Sequence, residues 1–242
     1  MSDSDKIYYR PLGHIAPFEF DASVVKVFED MIQRSVPGYG LTLQLMASVT
    51  SMIKSDTPTC YDLGCSLGAG MIAIDRGLRG KGGEIVGVDI SRPMIDKATE
   101  LLKRADMHTA WRLVEDDVSA ISLNDHDLCV MNFTLQFITP ELRVGLLEKV
   151  YESLNAGGIF VLSEKIEFND HIVQEFQMEM HHNFKRLNGY SDLEISQKRT
   201  ALENRLVTET LDAHVSRLKH VGFKGVFPWF QAFNFVSILA VK

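Results

Sequence analysis

The stretch Tyr61-Asp62-Leu63-Gly64-Cys65-Ser66-Leu67-Gly68-Ala69-Gly70 decides how this chain folds. A short apolar run ends in closely spaced glycines and passes into a helix-forming sequence, so a strand turns there into a helix. Glycines at such a turn let the backbone approach a ligand, and the helix N-terminus offers unpaired N–H groups to a carboxylate or phosphate. Alone, the turn opens more than one fold, because glycines at a tight bend are often only structural.

Working outward, the runs 59–63, 84–89, 110–114, 127–133 and 158–162 are short and apolar or β-branched, as buried strands are. Helical patterns with start signals lie between most of them, such as Ser91 with Pro93, or Thr139 followed by Pro140 and Glu141. This alternation predicts a parallel sheet. Upstream, two N-terminal helices are expected within 21–54; Asp21 caps the first, which carries Val24, Val25, Phe28, Met31 and Ile32. A later helix should stop near Leu154, with Asn155, Gly157 and Gly158 supplying left-handed residues. Segment 167–206 is polar, rich in His, Lys, Arg and Met, and reads as a helical lid interrupting the sheet, with Phe176, Met180 and Phe184 as a packed stripe. A helix over 208–221 and the runs 223–230 and 233–241 follow, the last two pairing antiparallel at the sheet edge. The expected fold is one α/β domain over 1–242, with a mostly parallel seven-stranded sheet.

A chain of 242 residues with 45% hydrophobic residues suits a single core. Its net charge of -7 opposes a main task of gripping nucleic acid. Cys60, Cys65 and Cys129 are odd in number and show no paired spacing, which fits reduced thiols in the cytoplasm, with Cys60 and Cys129 as small buried residues. The stretch 1–10 is polar, and no apolar run approaches the ~20 residues of a spanning helix, so neither export nor a membrane is expected.

Chemistry-bearing residues fall at strand ends. Asp89 closes the second strand, 25 residues after Gly64, where an acid chelates a ribose diol. Glu115-Asp116-Asp117-Val118 follows the third strand; it is either a solvated acidic loop or an acceptor for an adenine amino group. Asn132-Phe133-Thr134-Leu135-Gln136-Phe137 ends the fourth strand at the ligand crevice of open α/β sheets, and Asn132 offers donors and acceptors to an amino acid moiety.

Gly64-Cys65-Ser66-Leu67-Gly68 also spells the G-x-S-x-G of α/β hydrolases. That reading needs His214 or His220 as partner, both on an expected helix, and leaves Asp89 and Asn132 without a role. His171, His181 and His182 lack metal-ligand spacing, so no metal is expected. In the lid, Lys185, Arg186, Lys198, Arg199 and Arg205 outnumber Asp192, Glu194 and Glu203. Arginine forks there suit an anionic substrate, whereas Lys185 and Arg205 taken singly read as a solvated helix face.

Further signatures are Asp30-Met31-Ile32-Gln33-Arg34-Ser35-Val36-Pro37-Gly38-Tyr39, Asn188-Gly189-Tyr190-Ser191 and Glu194-Ile195-Ser196-Gln197-Lys198-Arg199. With the turn at 61–68 and the 132–137 run, they make the chain resemble, over essentially its whole length, the carboxy-S-adenosyl-L-methionine synthases, bacterial relatives of the class I methyltransferases with a Rossmann-like fold. The resemblance implies S-adenosyl-L-methionine as substrate and carboxy-S-adenosyl-L-methionine as product. It implies contacts from Tyr39, Gly64, Cys65, Ser66, Asp89, Ile90, Asp117, Val118 and Asn132, with Arg199 as the catalytic contact on the added carboxylate. Ile90 is apolar where some relatives carry a polar residue, so its contact is through the backbone. Also implied are prephenate as carboxyl donor, release of phenylpyruvate and water, a homodimer, and a partner tRNA carboxymethyltransferase that uses the product on wobble uridine. An ordinary small-molecule methyltransferase and a non-catalytic sensor of the nucleoside are the competing readings.

Overall fold

The computed structural model describes residues 3–203 and 205–242, so Met1 and Ser2 of the polar stretch 1–10 lie outside it. The chain starts with two helices. Asp21 caps α1 (Ala22–Ser35) by accepting the N–H groups of Ser23 and Val24, each at 2.9 Å. Gly38, at φ 74°, then turns the chain into α2 (Tyr39–Thr50). A side chain at Gly38 would sit 2.5 Å from the Phe230 ring, so only glycine lets this turn press against the sheet.

The alternation expected from the sequence follows. Strands β1 (Thr59–Leu63), β2 (Glu84–Asp89), β3 (Ala110–Glu115), β4 (His126–Asn132) and β5 (Leu154–Glu167) run parallel. They are interleaved with α3 (Ala69–Leu78), α4 (Arg92–Arg104) and α5 (Pro140–Ser153). Then come α6 (His171–Leu187), α7 (Asp192–Leu202), β6 (Glu209–Thr210), α8 (Leu211–Val221), β7 (Gly225–Ala232) and β8 (Phe235–Val241). The sheet order is β3-β2-β1-β4-β5-β8-β7, with β8 antiparallel to both neighbours. Strand order reverses between β1 and β4, which opens a crevice at their carboxyl ends.

The seven strands of that order are the expected mostly parallel sheet, and among the described residues two-residue β6 adds a short parallel pair off this path, at the far end of β5, with Ile166 opposite Glu209. Two expectations need correction. β5 itself extends over 14 residues, well beyond 158–162, since β8 and β6 supply partners along its length; of Asn155, Gly157 and Gly158 only Gly157 is left-handed, at φ 75°. Phe176 is 68% exposed, so it leaves the packed stripe expected on α6, whereas Met180 and Phe184 are half-buried and the Phe184 ring stands 6.3 Å from Phe233.

Apolar side chains cover both sheet faces. Leu63, Met131, Phe160, Leu162 and Leu218 form one core, and Met46, Ile74, Leu78, Leu128 and Val161 another. Each such buried side chain contributes about 1.5–3 kcal/mol, and together they hold the strand ends at fixed spacing.

Candidate functional site

The glycine turn is built by close approach. Gly64 takes φ 82°, and a side chain there would lie 2.2 Å from Thr134 Oγ1, so the turn after β1 meets the loop after β4 directly. Gly70 has the same function toward Asp62, whose Oδ2 would be 2.3 Å from an added Cβ. Asp62 is thereby sealed under the start of α3. Burial, then the Asp89 charge, pushes its carboxyl up to about 7, while the Met71 N–H opposes the shift.

Asp89 sits at the tip of β2 and ties two turns together. Its Oδ2 accepts the Ser66 N–H and its Oδ1 the Ser91 N–H, both at 2.9 Å. Burial raises its pKa, and the Ser91 and Ser66 N–H groups pull it down. Ile90 beside it is 67% exposed at the crevice mouth. At the tip of β3, Asp117 Oδ1 accepts from the Ser119 N–H at 2.8 Å and its hydroxyl at 2.7 Å, with Val118 buried alongside. Glu115 is engaged by Arg92 at 3.2 Å, leaving Asp117 as the acid directed by a turn rather than by a cation.

The loop after β4 completes this side. Asn132 Oδ1 accepts from Ser163 Oγ at 2.7 Å, which aims its amide donors away from β5. Phe133 adopts φ 59°, an uncommon left-handed conformation, and its ring stands 6.5 Å from Tyr39 and 5.9 Å from Phe235. Burial, then the Asp62 and Glu29 charges, raises the pKa of Tyr39, so it stays a neutral phenol. Glu164 anchors the loop from below: its two carboxylate oxygens accept the N–H groups of Leu135 at 3.0 Å and Gln136 at 2.9 Å. Burial pushes Glu164 up to about 8 despite Arg143 nearby.

α6 and α7 come next, with His181 of α6 against Phe235 of β8 and Arg199 of α7 close enough to act on Lys165 of β5. Ser191 and Glu194 form a capping box that fixes the start of α7. Arg199 is exposed in its last turn and, among the described residues, makes no ion pair, whereas Arg186 is held by Glu179 at 2.7 Å and Asp192 at 2.8 Å. Arg205 is exposed as expected. Lys185 is not: at 9% exposure it is buried, because α6 turns that face inward. His181, one turn earlier on α6, packs its ring 4.9 Å from Phe235 and bonds the Ser35 carbonyl at 2.8 Å.

The strand-tip residues 64–66, 89, 117 and 132 thus gather at one crevice. Lys165 lies near the end of β5, a position that sequence reasoning missed; the signal available was a lysine directly after the buried Glu164 and three residues past the run 158–162. The hydrolase reading fails. Among the described residues Ser66 bonds no histidine, and His214 is buried beside Glu209, Arg217 and Arg143 on α8. The described residues contain no cluster of His, Cys, Asp and Glu able to hold a metal ion, and no helix long and apolar enough to cross a membrane.

Known proteins sharpen this geometry. A family model described as Methyltransferase domain matches residues 61–158, the region that spans the turn, Asp89, Asp117 and Asn132. The carboxy-S-adenosyl-L-methionine synthase of Aliivibrio salmonicida is 43% identical over 242 residues, all of both chains. That of Trichlorobacter lovleyi is 45% identical over 240 residues, 99% of this chain and 98% of its own. Among solved structures, human N-acetylserotonin methyltransferase in complex with SAM matches with a TM-score of 0.61 at 17% identity, over 91% of this chain and 55% of that one. Magnesium protoporphyrin IX methyltransferase from Synechocystis, with bound SAM, matches with a TM-score of 0.59 at 13% identity, over 88% of this chain and 84% of its own. These two likenesses concern the fold.

Proposed function

The chain belongs to the carboxy-S-adenosyl-L-methionine synthase family, and on that premise we propose how its crevice performs the synthesis. S-adenosylmethionine lies across the strand tips, its ribose diol on Asp89 and its adenine amino group on Asp117 beside Val118. The amino acid moiety meets Asn132 and Tyr39, and the backbone of Gly64, Cys65, Ser66 and Ile90 completes the contact. Arg199 faces the methyl group being changed.

The reaction needs electrostatics more than a protein nucleophile. A sulfonium acidifies its methyl group, so losing a proton leaves a nucleophilic carbon. Prephenate becomes aromatic phenylpyruvate by expelling its ring carboxyl group as carbon dioxide and its ring hydroxyl as hydroxide. The hydroxide takes the methyl proton and departs as water, and the carbanion forms a carbon–carbon bond to the expelled carboxyl carbon. Arg199 neutralises the carboxylate that results.

The observation that favours this over methyl transfer is Arg199 itself, an arginine without a carboxylate partner among the described residues, on a helix that brings it near Lys165 of β5. Plain methyl transfer has no new anion for it to hold. The enzyme works as a cytoplasmic homodimer and needs no metal. Its product passes to a tRNA carboxymethyltransferase, and the net charge of -7 keeps this chain from gripping tRNA itself. Incubation with S-adenosylmethionine and prephenate should release phenylpyruvate together with a nucleoside heavier by one carboxyl group, read by mass spectrometry. If neither forms, the chain is not acting as a synthase on this donor.

A further inference from the structure

Lys165 and Lys185 have no part in the roles above, yet they are the least compensated charges at the crevice. Lys185 is buried and Lys165 half-buried, and such lysines are rare unless paired. Neither one makes an ion pair or a side-chain hydrogen bond among the described residues, and the groups acting on them are burial and other cations: Arg199 on Lys165, Lys198 and Lys165 on Lys185.

Their placement follows from the backbone. Side chains alternate along a strand, so Lys165 shares a face with Ser163, which bonds Asn132, while Glu164 points the other way into the 132–137 loop. Lys165 therefore lies beyond Asn132, toward the open end of β5. It pairs in register with Phe235, against whose ring His181 packs at 4.9 Å. Lys185 follows His181 by one helical turn on the same face of α6. On α7, Lys198 reaches Ser35 Oγ at 3.2 Å, the residue whose carbonyl His181 holds at 2.8 Å. Three elements thus bring three lysines to one region.

Lys198 differs from the other two. Asp5 attracts it, although Arg34 repels it, and it stands 5.8 Å from the Tyr190 ring. His182 faces Glu179, and His181 stays uncharged because burial, Lys185 and Lys165 all disfavour its proton. Among the described residues, no carboxylate balances Lys165 and Lys185.

We propose that Lys165 and Lys185 form an anion seat for one carboxylate of a dicarboxylate donor, separate from the carboxylate that Arg199 holds. This rests on the reading of prephenate as donor: its side-chain carboxylate sits on the lysine pair, and its ring carboxyl group is directed at Arg199 and the sulfonium methyl. The bound anion supplies the missing counter-charge, so donor binding tightens the packing of α6 against Phe235 of β8.

The test is steady-state kinetics of Lys165→Met and Lys185→Met, with binding of S-adenosylmethionine and the melting temperature of the ligand-free protein measured alongside. Each substitution should raise KM for prephenate about tenfold or more, the loss of one charge-assisted contact, and leave nucleoside affinity within about twofold. The melting temperature should hold or rise, because a partly or fully desolvated charge repelled by neighbouring cations has been removed. Lys185→Arg, which keeps the charge, should stay near the wild-type KM. Unchanged KM with a lowered melting temperature would overturn the seat. If the wild type itself releases no phenylpyruvate, the donor assignment fails instead, so the two failures are distinguishable.

Discussion

The two walls of the crevice are built on opposite plans. On the wall formed by β1, β2 and β3, every acid is tied down: Met71 donates to Asp62, Ser66 and Ser91 to Asp89, Ser119 to Asp117. On the wall formed by β5, α6 and α7, the cations Lys165, Lys185 and Arg199 have no carboxylate partner among the described residues. The first wall is organised before any ligand arrives. The second is electrostatically incomplete without an anion, which is the property expected of a surface that holds a transferred carboxylate.

The largest effect should come from the cationic wall. Arg199→Ala should lower the rate of carboxyl transfer about a hundredfold or more, as loss of one preorganised charge stabiliser does, with S-adenosylmethionine affinity little changed. Mass spectrometry of the ligand released from this variant on denaturation should find the nucleoside without its extra carboxylate. Copurification of carboxylated ligand with the variant would sink the role given to Arg199.

The acidic wall should behave differently. Asp89→Ala should weaken S-adenosylmethionine binding about tenfold or more, because it removes a charged acceptor and frees the Ser66 and Ser91 N–H groups. Calorimetric titration measures this directly. Equal affinity in wild type and variant would mean that the ribose lies elsewhere.

The smallest effect is in the pH dependence of stability, and there the walls should have opposite sign. Asp62 titrates near 7 in the folded protein, so between about 4 and about 7 the folded state keeps a proton that the unfolded chain has lost. Its contribution to stability falls as pH rises through that window. Lys185 also titrates near 7, so between about 7 and about 10 the unfolded chain holds the extra proton, and its contribution rises with pH. Denaturation profiles of wild type minus Asp62→Asn and wild type minus Lys185→Met should therefore slope in opposite directions, in adjoining windows. Parallel profiles would remove the contrast.

Sequence reading found the acidic wall because its signals are local. A glycine turn after an apolar run, an acid at the next strand end and an asparagine at the fourth are each visible within a few residues. The cationic wall was half visible: Arg199 came from the family signature, but Lys185 reads as solvent-facing in any helix pattern. Its burial depends on His181 meeting Phe235 and Ser35, the latter contact spanning 146 positions. Phe176 erred the other way, since spacing on one helix cannot tell which face finds a partner. The short β6 escaped notice because a two-residue strand carries no periodicity.

By itself, then, the sequence determined the parallel sheet, the crevice at its strand tips and the family, since periodicity, glycines and motif spacing are written along the chain. Only the tertiary structure decided which charges face one another without compensation. Electrostatic balance depends on distances between β5, α6 and α7 that packing sets, and no local run of residues contains those distances.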